Sequence, residues 1–395
     1  MSSTGLVRAG AGHHSRQSAS TGIGRQRPER GAPWVRRGLA LPVAVFTLAV
    51  IALFIAGSAF AATQEARASA GALAERLALE AAEYGAAAVL RDWDRSWNVA
   101  TAVGHTIGPV NHTLASGAAS EVRVTRTSAT TWWVVSQGSA GGTVVRHAAR
   151  RTVNAAFRLD LPPDAVPAAL GVVDSARVTG SGAVVGADSV EVIGLCAGLT
   201  TLPNPGVALP DTLRVVAPGG GVAGTPPLLP DSSVAARIAS LGSALVADIV
   251  LPAGAIVTPA PVVTAGTCDT LPAGNWGDPA GGPCATHLPV IRALGDLTVR
   301  GGKGQGIIIA SGDVVFESGV VFAGLVAAGD DFVTGSGGGV VLGAVLAGDA
   351  RRGPGDHSVV ADGGLIRRSS CRLRQARLAA APPVRLRDRW WAEFD

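Results

Sequence analysis

The sequence predicts an α+β, mainly β fold: a long N-terminal helix whose first half spans a membrane, a small antiparallel β meander, and a glycine-rich β-solenoid-like body with a Pro/Gly-rich insertion. Three observations carry this prediction. Residues 39–62 form an uncharged, mostly apolar run, alternating strand patterns follow, and Gly-Asp pairs then recur at nearly constant spacing. The predicted segments are a disordered basic leader (1–38), the helix (39–97), the meander (98–160), the body (171–370) with its insertion (200–290), and a C-terminal tail (371–395).

The apolar run and its basic flank predict a single membrane span with a defined orientation. At about 1.5 Å per residue, a helix over 39–62 is long enough to cross a hydrocarbon core of about 30 Å and to contact membrane lipid. Seven arginines and one acidic residue, Glu29, precede Gly38. The excess of positive charge keeps that end cytoplasmic. We therefore expect a single-pass protein of the cytoplasmic membrane whose C-terminal body lies outside the cytoplasm.

The helix is expected to continue well past the membrane span. Small and apolar residues recur at steps of three and four, while charged residues fall elsewhere on the surface. The recurring positions are Ala70, Leu73, Leu77, Ala81, Tyr84 and Ala88. After Pro42 the next proline is Pro109, so nothing in between forces the helix to end. One helix of roughly 55 residues is the economical interpretation.

The segment after the helix alternates like an antiparallel sheet. Residues 121–127 and 132–136 have the period of two that half-buried strands show. The glycine-rich turn at 137–142 leads into 143–146 and then into 152–159. These strands are expected to pack on the helix as a meander.

The body has a repeating pattern. Gly-Asp pairs begin at 295, 312, 329 and 348, intervals of 17, 17 and 19 residues, and short glycine-led apolar runs lie between them. Val-Thr-Gly-Ser-Gly occurs twice, at 178–182 and 333–337, and the first copy is expected to be a separate rung or a cap. Such a unit is typical of a parallel β-solenoid, in which each coil stacks on the previous one. Residues 200–290 are Pro/Gly-rich and are interpreted as an insertion looping out of this body, with one helix starting near Asp231.

Four cysteines lie in the part expected outside the cytoplasm, where disulfides persist. Cys268 and Cys284 flank a turn-rich loop with little apolar content, and a bridge between them is the first choice. Cys196 with Cys371 follows by elimination. Four buried thiols are the alternative, and the absence of a C-x-x-C pair argues against zinc or redox chemistry.

Motifs for catalysis or metal binding are missing from the sequence. The seven histidines show no ligand spacing, H-E-x-x-H and G-x-S-x-G do not occur, and the glycines around Lys303 do not fit a phosphate loop. Asp296, Asp313, Asp330 and Asp349 could form a calcium or catalytic ladder, but capping of turns is the simpler interpretation. Trp276 and the pair Trp390-Trp391 are interpreted as core plugs or clamps. We therefore expect no enzyme activity, metal or cofactor.

Nucleic acid is also not an expected partner. The 33 basic residues against 29 acidic ones concentrate at the two ends, in 1–37 and 367–389. A nucleic-acid surface would instead interleave basic and aromatic residues on one folded face.

The residues from Arg36 to Val43 (Arg-Arg-Gly-Leu-Ala-Leu-Pro-Val) resemble a type IV (class III) prepilin leader. The continuation from Thr63 to Gly85 resembles the N-terminal segment of PilX-type minor pilins and related pseudopilins. The resemblance covers residues 36–97, and it implies cleavage by a prepilin peptidase between Gly38 and Leu39 and packing against other pilins. Major pilins carry a glutamate five residues into the mature chain, where this sequence has Val43, which favours a minor role.

The sequence thus leads to a minor pilin-like structural subunit of a type IV pilus or related secretion apparatus. A secreted β-solenoid protein is the alternative, because Ala59-Phe60-Ala61 supplies an A-x-A site for signal peptidase. A membrane-anchored adhesin outside any pilus shares the same features. The mature N-terminus distinguishes these three hypotheses. It is Leu39 for the pilin, Ala62 for the secreted protein, and the uncleaved N-terminus for the membrane-anchored adhesin.

Overall fold

A computed structural model describes residues 40–141, 148–163, 166–188, 196, 203–349, 357–386 and 393–394. The chain divides into two compact units, Met1–Glu65 and Ala66–Asp395. The predicted leader and the Gly38-Leu39 bond lie outside the described residues, as do Trp390 and Trp391.

Helix α1 (Ala40–Arg91) confirms the long N-terminal helix and contributes residues to both units. It ends six residues before Trp97, the predicted limit. The Asp94 carboxylate accepts a hydrogen bond from the Ser96 N–H at 2.8 Å, and this local turn replaces the helical pattern. A separate short helix, α2 (Trp97–Ala100), follows.

Four strands of an antiparallel sheet follow the helix in the chain. They are β1 (Thr106–Thr113), β2 (Ala119–Arg126), β3 (Thr131–Ala140) and β4 (Ala149–Leu159). Their order in the sheet is β1-β2-β3-β4, so each strand pairs with its neighbour in sequence. The strand expected at 143–146 lies outside the described residues, and β1 is a strand that the sequence does not predict.

The second half of α1 packs closely on this sheet through small residues. Ala74, Ala78, Ala81, Ala82, Gly85 and Ala88 of the helix are buried. Gly138 on β3 lies so near the helix that a Cβ there would stand 1.9 Å from the Ala78 carbonyl oxygen. The sheet supplies Val122, Val124, Trp132 and Val134 to the shared core. The alanine-rich pattern therefore allows the helix axis to approach the sheet.

The first part of the body consists of short strands and one helix. They are β5 (Leu170–Val172), β6 (Ala176–Val178), β7 (Ala183–Val185), β8 (Val207–Leu209), β9 (Val215–Val216), β10 (Gly221–Ala223), β11 (Leu228–Pro230), α3 (Val234–Ala244), β12 (Ile249–Leu251), β13 (Ala255–Val257), β14 (Val263–Thr264) and β15 (Thr267–Cys268).

The remaining elements carry the repeat and the C-terminal segment. They are β16 (Val290–Ala293), β17 (Leu297–Val299), β18 (Lys303–Ala310), β19 (Val314–Phe316), β20 (Val321–Ala328), β21 (Phe332–Thr334), β22 (Val340–Ala347), β23 (Ser358–Val360), β24 (Leu365–Arg368), α4 (Ser370–Ala380), β25 (Pro383–Arg385) and β26 (Glu393–Phe394). Strands β25 and β26 return to the antiparallel sheet and pair with β4.

Two parallel sheets face each other in the body. One has the order β10-β7-β24-β22-β20-β18-β16-β12, and the other has the order β13-β17-β19-β21-β23-β6-β9. Three more strands belong to the first sheet: β5 pairs with β22, β8 pairs with β5, and β11 pairs with β8. From β16 to β24, consecutive strands alternate between the two sheets. The chain therefore crosses from one sheet to the other at every turn. Together with α1 and the antiparallel sheet, this arrangement confirms an α+β, mainly β fold.

The larger parallel sheet is buried on both faces, which explains its continuous apolar runs. Its inner face meets the second sheet in a core that contains an aromatic row of Trp276, Phe322, Phe316 and Phe332. Its outer face is covered by α3 and α4, with Leu241 and Leu373 among the buried contacts. The second sheet is covered on only one face, so the residues along its strands alternate between buried and partly exposed.

The range 200–290 differs from the insertion that the sequence suggested. Strands β8 to β13, all within this range, pair with strands of the two parallel sheets. Their apolar triplets, such as Val207–Leu209, are long enough to pair, while the flanking prolines and glycines form the corners. The first Val-Thr-Gly-Ser-Gly copy, at 178–182, likewise belongs to the same two sheets, since β6 pairs with β23 and β7 with β24.

Candidate functional site

The apolar half of α1 is the first candidate surface. Within the described residues, α1 is the one helix long and apolar enough to cross a membrane, and its most apolar window has no buried residues. Leu41, Phe46, Leu53, Phe54 and Phe60 are each at least 66% exposed. So much exposed apolar area is compatible with a single-pass membrane anchor.

Two disulfides join the cysteines in the pairs named from the sequence. Cys268 bonds to Cys284 across 16 residues, and Cys196 bonds to Cys371 across 175 residues. The first pair closes the turn-rich loop between β15 and β16. Asn275 lies inside that loop, fully buried, and its amide donates a hydrogen bond to the Asp269 carbonyl oxygen at 2.6 Å. The loop is therefore held by covalent and polar contacts in place of an apolar core of its own.

The Gly-Asp pairs do not all occupy one register. Leu297 lies opposite Val314 and Val314 lies opposite Phe332, so Asp296, Asp313 and Asp331 form the column. Asp330, which the sequence placed there, is shifted by one position and is 2% exposed. Because the interval between β19 and β21 is 18 residues, the pair at 329–330 no longer aligns with the pair at 312–313.

The aspartate column makes the contacts of turn caps. The Asp313 N–H donates to the Asp296 carboxylate at 3.0 Å, and the Asp331 N–H donates to the Asp313 carboxylate at 3.1 Å. Each carboxylate therefore ties its own turn to the next rung. Carboxylate oxygens of Asp313, Asp330 and Asp331 lie within 4.8 Å of one another, a spacing that a cation could bridge. Of the three, the Asp313 carboxylate accepts the Asp331 N–H, and the Asp331 carboxylate accepts the Ser358 hydroxyl at 3.2 Å.

A cleft of about 640 Å³ opens where the loop after α1, the disulfide-bonded loop and α4 meet. We call it the Trp93 cleft. Its walls include Trp93, Arg95, Asp248, Thr270, Thr286 and His287. The sequence singled out none of these as a site, because they come from three separate segments, and Trp93 and His287 are 194 residues apart. The aromatic cluster Trp93-Trp97 was the one local signal.

The charges of the Trp93 cleft are largely compensated. Arg95 Nη1 lies 2.7 Å from one Asp248 oxygen, and the other Asp248 oxygen accepts the Val290 N–H at 2.9 Å. His287 Nε2 lies 3.1 Å from the Asn275 carbonyl oxygen, so Nε2 carries the proton in the neutral ring. Burial lowers the pKa of His287, against smaller opposing effects of that hydrogen bond and of Asp248. The imidazole is therefore neutral near pH 7.

Trp276 and Gln305 fix the disulfide-bonded loop, which forms one wall of the Trp93 cleft, to the body. Trp276 is fully buried and donates its ring N–H to the Ala273 carbonyl oxygen at 2.9 Å, which fits the core plug that the sequence suggested. The Gln305 amide contacts the carbonyl oxygens of Cys284, Ala285 and His287 at 2.9–3.1 Å. The wall is thus fixed to β18 by side chains that are themselves buried.

No family model matches this chain, and no curated protein sequence matches it. The solved structures that resemble it weakly include the following two. One is an ice-binding protein from the Antarctic ascomycete Antarctomyces psychrotrophicus, with 10% identity, a TM-score of 0.27, and coverage of 53% of this chain and 97% of that one. The other is the competence-associated pilin ComZ from Thermus thermophilus, with 12% identity, a TM-score of 0.24, and coverage of 81% and 97%. Both scores are too low to establish a shared fold.

Proposed function

We propose that this chain is a minor pilin-like structural subunit of a type IV pilus or a related secretion apparatus, with no catalytic activity. The observation that carries the proposal is the two-part character of α1. Its first part is apolar and exposed, and its second part buries an alanine face against an antiparallel sheet. A helix of this kind is stable in lipid, and it would be equally stable in a bundle of similar helices, so its transfer into a filament needs no refolding.

The proposal includes a topology and a set of partners. The arginine-rich leader stays in the cytoplasm, residues 39–62 span the inner membrane, and the body lies outside. Prepilin peptidase cuts between Gly38 and Leu39, and other pilins contact α1. An apolar groove of about 540 Å³ beside α1, with Leu79, Leu90 and Phe157 in its walls, is a further surface next to the helix that the described residues leave open. We propose that the two parallel sheets are coils of one β-solenoid displayed outside the cell.

N-terminal sequencing of the mature protein tests the proposal. The chain is expressed with and without prepilin peptidase, together with Gly38→Val to block that cut and Ala61→Leu to block signal peptidase. Leu39 as the first residue, lost in Gly38→Val and retained in Ala61→Leu, supports the pilin. Ala62 as the first residue would establish the secreted alternative, and an unprocessed chain in every sample would leave a plain membrane anchor.

A further inference from the structure

The Trp93 cleft is lined by hydrogen-bonding groups that make no hydrogen bond with other described residues, as expected of a ligand site. Among the described residues, the hydroxyl groups of Thr267, Thr270 and Thr286 have no hydrogen-bond partner. In the tautomer that donates from Nε2, His287 Nδ1 is an acceptor. The cleft volume, about 640 Å³, falls within the range of small-molecule sites.

The charge of the cleft argues against ionic ligands. Arg95 is its one guanidinium among the described lining residues, and Asp248 already pairs with it. A phosphate or a nucleic acid would need cations that are free to bind it. Asp94 adds one carboxylate, which is exposed, so water and salt screen its attraction for an amine. The groups that remain are neutral donors and acceptors.

Trp93 supplies the apolar side of the cleft. Its ring N–H is bonded to Asn98 at 2.9 Å, and its ring packs edge-on with Trp97 and Trp132 at 5.3 Å between centroids. The ring is thus fixed before any ligand arrives, which reduces the entropy cost of binding. It is only half-buried, so part of its surface is available to the C–H groups of a ligand.

We propose that the Trp93 cleft binds a neutral oligosaccharide. Each sugar hydroxyl both donates and accepts, which matches threonine hydroxyls, a neutral imidazole and a shared Arg95-Asp248 pair. The C–H faces of the pyranose ring pack on Trp93. The assignment is independent of the pilin proposal, since it rests on the residues that line the cleft and not on the apolar part of α1.

Isothermal titration with the full chain tests the proposal, in a detergent without a sugar headgroup. The probes are three neutral trisaccharides, maltotriose, cellotriose and triacetylchitotriose, with trigalacturonate and the chitosan trimer as charged probes of similar size. We expect saturable binding of at least one neutral probe and weaker binding of both charged ones. The double variant Thr270→Val/Thr286→Val should weaken binding about 25-fold, from roughly fivefold per lost hydrogen bond.

The control is Thr298→Val, which makes the same change on β17, away from the cleft, and should leave affinity unchanged. Thermal unfolding of each variant shows whether the fold is intact. Trp93→Phe keeps an aromatic ring and should weaken binding less than the double threonine variant. No binding of any neutral probe, tighter binding of a charged one, or equal affinity in the wild type and the folded double variant would overturn the proposal. A failure to find Leu39 at the mature N-terminus would leave it intact.

Discussion

The side-chain amide of Gln305 donates to the carbonyl oxygen of Ala285 over 2.9 Å, and thereby joins the central strand β18 to the disulfide-bonded loop. Gln305 is 1% exposed, and its backbone N–H also donates to the Trp276 carbonyl oxygen at 2.7 Å. Because one NH₂ group faces three carbonyl oxygens, its two hydrogens are shared among them. This residue thus adds polar contacts between the loop and the body to the apolar contact that Trp276 makes with Phe322.

Gln305→Leu should destabilise the protein although the volume is nearly conserved. The change leaves the carbonyl oxygens of the loop without their donor, at a cost of about 3 kcal/mol. Thermal unfolding followed by circular dichroism measures the loss. Gln137→Leu on β3 is the matched control, because that half-buried side chain has no hydrogen bond to another described residue. Equal stability of the two variants would contradict the role assigned to Gln305.

Gly138→Ala should separate α1 from the sheet. A methyl group there would meet the Ala78 carbonyl oxygen at 1.9 Å, a backbone atom that cannot rotate away, so we expect a loss of about 2–3 kcal/mol. Gly71→Ala in the same helix meets nothing within 4 Å and should stabilise the helix by up to about 1 kcal/mol. Unfolding temperatures that shift in opposite directions for the two variants would agree with the close approach.

Gly324→Ala should disrupt the stacking of the body. Gly306, Gly324 and Gly343 lie opposite one another on β18, β20 and β22, and Gly324 has φ +140° with the Gly306 carbonyl oxygen 2.0 Å from any added Cβ. Strain and overlap together should cost about 3 kcal/mol or more. Gly242→Ala, on an open surface of α3, is the control. Limited proteolysis of the body would report the difference, and equal resistance of both variants would argue against a tightly stacked glycine column.

Stability should fall as the solution becomes acidic, in part through His287. Burial is the main cause of its lowered pKa, so the unfolded chain binds a proton that the folded chain resists. The contribution of His287 is therefore complete above about pH 6.5 and is lost as the pH falls through the folded pKa. Unfolding temperatures between pH 7.5 and 5.0 measure this slope. His287→Asn should flatten it, and an unchanged slope would show that other groups cause the acid sensitivity.

Removal of the two disulfides should have unequal effects. By loop-closure entropy, the Cys268-Cys284 bond contributes about 3 kcal/mol and the longer Cys196-Cys371 loop about 5 kcal/mol. Paired substitutions to alanine, measured by denaturant unfolding, compare them directly. A smaller loss for the Cys196-Cys371 pair would indicate that its unfolded state is already compact.

The long helix could be predicted from the sequence because its signal is local. An uncharged run after a basic flank and an alanine-rich period between 70 and 88 need no tertiary information. The end of the helix at Arg91 is harder to predict from the sequence, because it depends on how Asp94 caps the following turn and on the packing of Trp93 against Trp132.

The repeat was visible, but its exact register was not. Gly329-Asp330 looks equivalent to Gly312-Asp313, and only strand pairing places Asp331 in the column. The strands within 200–290 are hard to predict for a related reason. Three-residue strands such as Ile249–Leu251 carry too little periodicity to be recognised alone, and they gain their partners only when the body is stacked.

The sequence by itself determined the apolar helix, the β-rich class and the turn-rich loops, because hydrophobic period and glycine content act over a few neighbouring residues. The tertiary structure alone decided the aspartate column, the Gln305 contacts and the Trp93 cleft. Each of these depends on residues from distant segments of the chain. Strand pairing and the packing of buried faces bring those residues together. Trp93 and His287 are 194 positions apart in the chain and line the same cleft.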